Sequence, residues 1–372
     1  MRNLLFIGLC CFAAAITGCK DQRILEDLSM INAVGIDSSK EKQKGAEQIL
    51  LTVNFLEIDP DAKKQMGILS STGTTIKEAR INLSRQTSHY LASGQMRTVL
   101  IGQNLARTGI WKHLDTLYRD PAIGQRVWVT VVDGRASDLI TANYAQKTLL
   151  GITISELIET GRKNHSIPNV NLSHFARDYW DDGIDPVAPI VTKGQNRIRT
   201  NGIALFKDDR YVARIPPEKG LIFDMLRDNV KGGELFLALG GKEEREWVMI
   251  DAIVSNSKIS VKRLHPILPR FEVDIQQEIK GNLLEYIGPH SPDTKEEQAK
   301  LEKKIAQHIK RQNDELLAFM QKKHADGAGI GQYVRNSMSY QDWKKLDWNE
   351  VYPKVKINTR VKVKIKAYGK ID

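Results

Sequence analysis

The chain has 372 residues, a formal net charge of +10 at pH 7, 41% hydrophobic residues and three cysteines. That length can supply hydrophobic cores for two or three domains, and so few cysteines exclude a disulfide-built scaffold. After the first segment no apolar run approaches the roughly twenty residues of a transmembrane helix.

The chain opens with a short basic start, Met1-Arg2-Asn3, and an apolar run over residues 4–16. The run is too short to span a bilayer and has the form of a signal-peptide core. It ends in Ile16-Thr17-Gly18-Cys19, a branched apolar residue, two small residues and a cysteine, the pattern of a bacterial lipobox. The small residues admit the backbone to a peptidase, and the Cys19 thiolate can take a diacylglyceryl group. Residues 1–18 are therefore expected to be removed together with Cys10 and Cys11, leaving an exported chain held on the lipid bilayer through Cys19. Two or more acyl chains hold a protein stably where one does so only marginally. The polar segment 20–27 reaches about 26 Å when fully extended, so the first domain should lie close to the headgroups.

Strands are expected at residues 30–37 and 48–58, forming a hairpin, the second with Ile49, Leu51, Val53 and Phe55 on one face. A helix should begin at Thr75, where Thr75-Ile76-Lys77-Glu78 has capping-box spacing and Ile76, Ala79 and Leu83 share a face. Residues 96–101 read as a strand and 105–118 as a helix ended by Arg119-Asp120-Pro121. Val127, Val129 and Val131 alternate in another strand, and 136–145 reads as a helix. This order implies a mixed sheet flanked by helices. No glycine-rich phosphate loop follows these strands, which argues against a nucleotide site. Between residues 180 and 195 the pattern fails at Asp181-Asp182-Gly183, Pro186 and Pro189, which reads as a linker. His165 and His174 precede it without metal-ligand spacing.

In the second half, 202–206 and 211–215 read as a hairpin, and Pro216-Pro217-Glu218 opens a short helix toward Leu226. Strand-like runs at 234–239, 247–254, 258–264 and 271–275 imply an antiparallel meander. The longest helix is expected over 294–323, with Asp293 as N-cap, Glu296 three residues on, and Leu301, Ile305, Ile309, Leu316 and Met320 along one stripe. The stretch Asp326-Gly327-Ala328-Gly329-Ile330-Gly331 follows a helix and not a strand, so it reads as a glycine C-cap and not a dinucleotide loop. In the final strand Val355, Ile357, Val361, Val363 and Ile365 alternate with Lys356, Asn358, Arg360, Lys362, Lys364 and Lys366. Its outer face is either a solvated sheet surface or one that meets anionic lipid or an acidic partner. Nucleic acid is not an expected partner, because no aromatics are interleaved for base stacking.

Taken in order, several short stretches resemble the Ger(x)C family of spore-germination lipoproteins, the C subunits of nutrient germinant receptors. They are Cys19, Arg23-Ile24-Leu25-Glu26-Asp27-Leu28, Ala33-Val34-Gly35-Ile36-Asp37, Glu78-Ala79, Asn82-Leu83-Ser84, Gly94 and Arg119-Asp120-Pro121. The second half adds Gly202-Ile203-Ala204-Leu205-Phe206, Ile279-Lys280-Gly281-Asn282-Leu283-Leu284-Glu285, Asp326, Gly331, Trp343, Trp348 and a final strand ending at Gly369. Lys20 departs from the pattern, since the family often has tryptophan there. The resemblance implies a three-domain α+β lipoprotein on the outer face of the spore inner membrane. There it would work with an integral-membrane transporter-like subunit and a second membrane subunit.

The expected architecture is thus α+β, with mixed sheets flanked by helices and a C-terminal long helix packed on an antiparallel sheet. Its divisions are 1–18 signal, 19–185, 186–255 and 256–372. No catalytic, metal or cofactor residues are expected, since the chain has no HExxH, zinc-type cysteine spacing or GxSxG elbow. A membrane-anchored solute-binding lipoprotein is the alternative. It calls for two lobes, a cleft and a long tether, which the short tether and β-rich second half count against. An extracytoplasmic hydrolase would need a pocket of coupled titratable groups.

Overall fold

The computed structural model describes residues 27–43, 46–57, 65–142, 149–240, 245–265, 268–289 and 291–367. Cys19 and the signal segment lie outside them, as does the end of the helix expected over 136–145.

The first sheet begins with β1 (Leu28–Gln43), β2 (Ala46–Glu57) and β3 (Gln65–Gly73), paired antiparallel in succession. The expected hairpin is present, but β3 was not anticipated: its Gly67, Ser70 and Ser71 break the apolar alternation that marks a half-buried strand. Helix α1 (Ile76–Ser84) follows as read, with Ile76, Ala79 and Leu83 buried and the Thr75 hydroxyl accepting from Glu78 N–H. The Glu78 carboxylate returns to Thr74 N–H at 2.7 Å, one residue before the expected partner.

Next come β4 (Tyr90–Ala92) and β5 (Thr98–Gly102), then α2 (Gln103–Ala106) and α3 (Trp111–Tyr118). The helix expected over 105–118 is two pieces. Gly109 turns the backbone at φ +105°, and the Asp209 carboxylate accepts the Trp111 N–H at 2.9 Å, starting α3 afresh from a distant loop. Strand β6 (Trp128–Val132) is followed by α4 (Ala136–Ile140), α5 (Leu150–Lys163) and α6 (Leu172–Trp180). The buried Asp37 carboxylate, on β1, caps α4 by accepting from the N–H groups of Ala136 and Ser137, each at 2.8 Å.

Strands β7 (Val187–Lys193), β8 (Ile198–Lys207) and β9 (Arg210–Ile215) complete this sheet, whose order is β3-β2-β1-β5-β6-β7-β8-β9 with β4 beside β1. Strands β1, β5, β6 and β7 run parallel and the remaining long pairs antiparallel. Val187 to Val191 are all buried, because β7 lies inside the sheet and packs on both faces, the arrangement that removes alternation from a sequence. The stretch read as a linker therefore leads into an interior strand. The chain changes sheets later, between β9 and the second half, through a short 3₁₀ turn at Pro217–Lys219 and α7 (Gly220–Arg227). Of the expected boundaries, residue 185 lies just before β7 and residue 255 inside a strand of the second sheet.

That sheet contains β10 (Val230–Lys231), β11 (Leu235–Ala238), β12 (Trp247–Arg263), β13 (Phe271–Ile287) and β14 (Lys356–Ile365), in the order β10-β12-β13-β14 with β11 beside β12. The runs at 247–254 and 258–264 are one strand, bent where Ala252 takes φ +47° and the register slips. Between β13 and β14 stand α8 (Lys295–Lys322), α9 (Ile330–Asn336), α10 (Tyr340–Lys344) and α11 (Trp348–Val351). With this long crossover, β14 joins β13 in parallel on a sheet otherwise antiparallel.

Helix α8 packs on the second sheet as expected, burying Leu301, Ile305, Ile309, Leu316 and Met320. Asn313 lies on the same stripe and donates to Gln277 of β13 at 2.6 Å, and Gln277 donates to the Met225 carbonyl of α7. Two end assignments differ from the sequence reading. The N-cap is Thr294, in a reciprocal box with Glu297, while Asp293 accepts from Ser291. At the other end His324, not glycine, takes the left-handed turn (φ +53°), and Ala325 N–H returns to Met320 O. The glycines after Asp326 serve elsewhere. No helix among the described residues is long and apolar enough to cross a membrane. Thr294→Ala should lower stability by about 1 kcal/mol in urea unfolding, whereas Asp293→Ala should change it by less than about 0.5 kcal/mol.

Candidate functional site

Two features gather the charged residues that the sequence singles out. One is the junction where the loop after α8 meets the loop before β7. The other is the outer face of β14.

At the junction Asp326 is buried, and its carboxylate accepts Ile330 N–H at 2.9 Å, Gly331 N–H at 2.7 Å and Trp348 Nε1–H at 3.1 Å. Its own N–H donates to the buried Asp185 carboxylate at 2.6 Å, and Asp185 also accepts from Asp208 N–H at 2.8 Å. In return Asp185 N–H donates to the Asp326 carbonyl. The backbones approach so closely that only glycine fits: a Cβ on Gly183 would stand 2.5 Å from Gln332 N, and one on Gly331 2.5 Å from Trp348 Nε1. Gly329 supplies a left-handed turn (φ +74°) ahead of α9.

A second shell of ion pairs surrounds this core. Arg227 donates to the Gly327 carbonyl at 2.5 Å and to Asp178, which is fully buried and also accepts from Arg177. Asp181 accepts from Arg335 at 2.6 Å and Gln332 at 2.9 Å, and Asp182 pairs with Lys344 at 3.1 Å. The residues read as a linker thus clamp the C-terminal helices onto the first sheet.

Burial, with the neighbouring Asp185 carboxylate adding to it, pushes Asp326 up to about 7 despite its N–H donors. Burial likewise lifts Asp185 to about 6. The Tyr352 hydroxyl, buried close to both without a hydrogen-bond partner, is pushed well above its ordinary value by burial and then by the two carboxylates. The hydrogen-bond donors aimed at these acids favour the ionised form, but burial outweighs them at both carboxylates. Among the described residues no group of His, Cys, Asp and Glu is placed to hold a metal ion. His165 is tied to Asp224 at 2.5 Å and to the Lys231 carbonyl at 3.2 Å, and His174 stands apart on α6. Cys19 lies outside the described residues.

Of the four cations on β14 and Lys366 just after it, three face carboxylates of their own unit. Lys356 meets Glu272 at 2.5 Å, Arg360 meets Asp274 at 3.3 Å and Lys364 meets Glu302 at 3.5 Å. Lys362 and Lys366 form no ion pair among the described residues. The sequence displayed this face through its alternation but not its partners, which come from β13 and α8. The junction was not legible, since Asp185 and Asp326 stand 141 residues apart. The only local trace was the glycine-rich stretch itself.

Two α+β units are thus joined through a shared polar junction whose buried carboxylates are hydrogen-bonded across it. Comparison with known proteins specifies the class. Residues 21–193 match the spore germination protein N-terminal domain, and residues 201–369 the spore germination B3/GerAC-like C-terminal domain. The chain belongs to the Ger(x)C family of spore-germination proteins. It is 25% identical to spore germination protein GerQC of Bacillus cereus, over 99% of each chain. It is also 25% identical to the putative spore germination protein YfkR of Bacillus subtilis (strain 168), over 95% of this chain and 94% of that one. The fold is that of the GerBC crystal structure, with a TM-score of 0.57 at 15% identity, covering 90% of this chain and 97% of that one.

The raised carboxylates give a signed expectation. A folded-state value above the unfolded one near 3.8 means that the native state binds the extra proton, so this stabilisation is complete at low pH and is lost as pH rises through about 6 to 7. Urea unfolding between pH 5 and pH 8 should show stability falling with pH, and Asp326→Asn should flatten that slope while lowering stability throughout.

Proposed function

We propose that this chain is the lipid-anchored, non-enzymatic subunit of a spore nutrient germinant receptor. It acts by assembly with an integral-membrane transporter-like subunit and a second membrane subunit on the outer face of the spore inner membrane. The observation that carries the reading is the end-to-end match of both halves to spore-germination domains, residues 21–193 and 201–369, beginning two residues after Cys19. The lipobox supports the anchor, and the clamped junction supports a role in which two units present one rigid outline. The buried acids Asp326 and Asp178 at that junction are engaged by backbone, indole and arginine donors, which suits structure and not turnover. Confinement to the bilayer raises the effective concentration beside the partners, so modest polar contacts suffice for assembly.

Cys19→Ala should abolish lipid labelling and lower retention on membranes after a high-salt wash; unchanged labelling would overturn the anchor. Affinity capture from spore membranes should bring down the transporter-like subunit. Loss of the chain should abolish response to the nutrients of its own receptor alone. Charge reversal at Lys362 and Lys364 should weaken that capture if the β14 face contributes. Binding of a germinant amino acid or sugar by the purified chain without partners would contradict the assembly reading.

A further inference from the structure

Strands β12 and β13, each 17 residues long, carry their hairpin tip past the start of β14, whose first pairing is Lys356 with Glu272. The tip reads Arg263-Leu264-His265-Pro266-Ile267-Leu268-Pro269-Arg270 in sequence: apolar in the middle, an arginine at each end and no acidic residue. Leu264 and Leu268 are 46% and 45% exposed, an unfavourable setting for leucine in water. The described residues on either side of the turn are hydrogen-bonded to one another. Leu264 N–H donates to Arg270 O at 2.8 Å, Arg270 N–H to Leu268 O at 2.8 Å, and Leu268 N–H to His265 Nδ1 at 2.9 Å.

Across a cleft from the tip lie Met338, Lys345, Leu346 and Val351. Arg263, Arg270 and Lys345 are exposed and meet no carboxylate in an ion pair among the described residues. Three acids line the cleft against its cations: Asp342 is exposed, Asp347 caps α11 and Glu350 faces Lys354 at 3.8 Å.

We propose that the described residues on either side of this hairpin tip form a second, non-covalent contact with an anionic bilayer. The two leucines would enter the interface while Arg263, Arg270 and Lys345 meet lipid phosphates. Apolar side chains flanked by cations are the combination that binds a charged membrane surface. The position of the cleft's far wall agrees. Helices α9 and α10 are held to the loop before β7 by Asp181–Arg335 and Asp182–Lys344. That loop lies where the parallel strands β5, β6 and β7 begin, and β1, parallel to them, begins at the same end of the sheet. The proposal rests on the reading that the chain is exported to a membrane surface, but it does not need the lipid.

All described elements lie between Asp27 and Ala367, so a chain starting at Lys20 keeps the fold and lacks the anchor. This chain should float with phosphatidylcholine vesicles containing about 30% phosphatidylglycerol, and far less with phosphatidylcholine alone. The double substitution Leu264→Ser with Leu268→Ser should weaken flotation about tenfold, as should Arg263→Gln with Arg270→Gln, with unchanged unfolding midpoints because these residues are exposed. Failure of the unsubstituted chain to bind anionic vesicles, or equal flotation of the leucine variant, would overturn the proposal. So would variants that float normally yet lose capture of membrane subunits, since the tip would then be a protein contact. None of these outcomes bears on acylation of Cys19, which the Cys19→Ala experiment tests alone.

Discussion

The Asp326 carboxylate accepts from two backbone N–H groups and from Trp348, while Asp326's own N–H is held by Asp185 at the threshold of β7. This chain of bonds passes from the C-terminal helices into the interior of the first sheet. Burying a carboxylate is costly unless hydrogen bonds replace its water, and here each oxygen has such a partner. Removing one donor would leave the others converging on an unsatisfied charge. The relative placement of the two sheets therefore depends on a few bonds that must all be made together. Gly183 and Gly331 allow the backbones near enough for that.

The outer face of β14 shows how far a charge pattern can be taken without its surroundings. Five cations in alternation look like a strong positive field. Glu272, Asp274 and Glu302 answer three of them, and such exposed pairs contribute between nothing and about 1 kcal/mol each. The pairs fix β14 beside β13 and α8 more than they stabilise it. What reaches outward is the remainder at Lys362 and Lys366, together with Arg263 and Arg270 at the far end of the same sheet, which form no ion pair among the described residues.

What the sequence revealed was local. The Thr75 cap, the β8–β9 hairpin, the stripe of α8 and the alternation of β14 each depend on neighbours within a few residues, and each is present. What it concealed depended on distant contacts. Gly109 breaks a helix because Asp209 reaches it from another loop, and β7 looked like a linker because an interior strand has no polar face. The bend at Ala252 divided one strand into two apparent runs. The junction combined both difficulties, being built from turn-forming residues whose partners lie in the other half of the chain. Cys19 was the reverse case, a residue whose proposed role rests on the sequence alone.

The parallel placement of β14 has a consequence for how the chain matures. The first sheet is complete once residue 215 has emerged, and its long-range pairings need nothing made later. The second is not, because β13 has its outer partner only when the last strand returns across α8. Until then β13 presents an open edge of unpaired donors and acceptors, the kind of surface that invites association with other chains. A polypeptide truncated before residue 356 would keep that edge permanently. The final strand thus acts as a seal on a structure whose other half was finished long before.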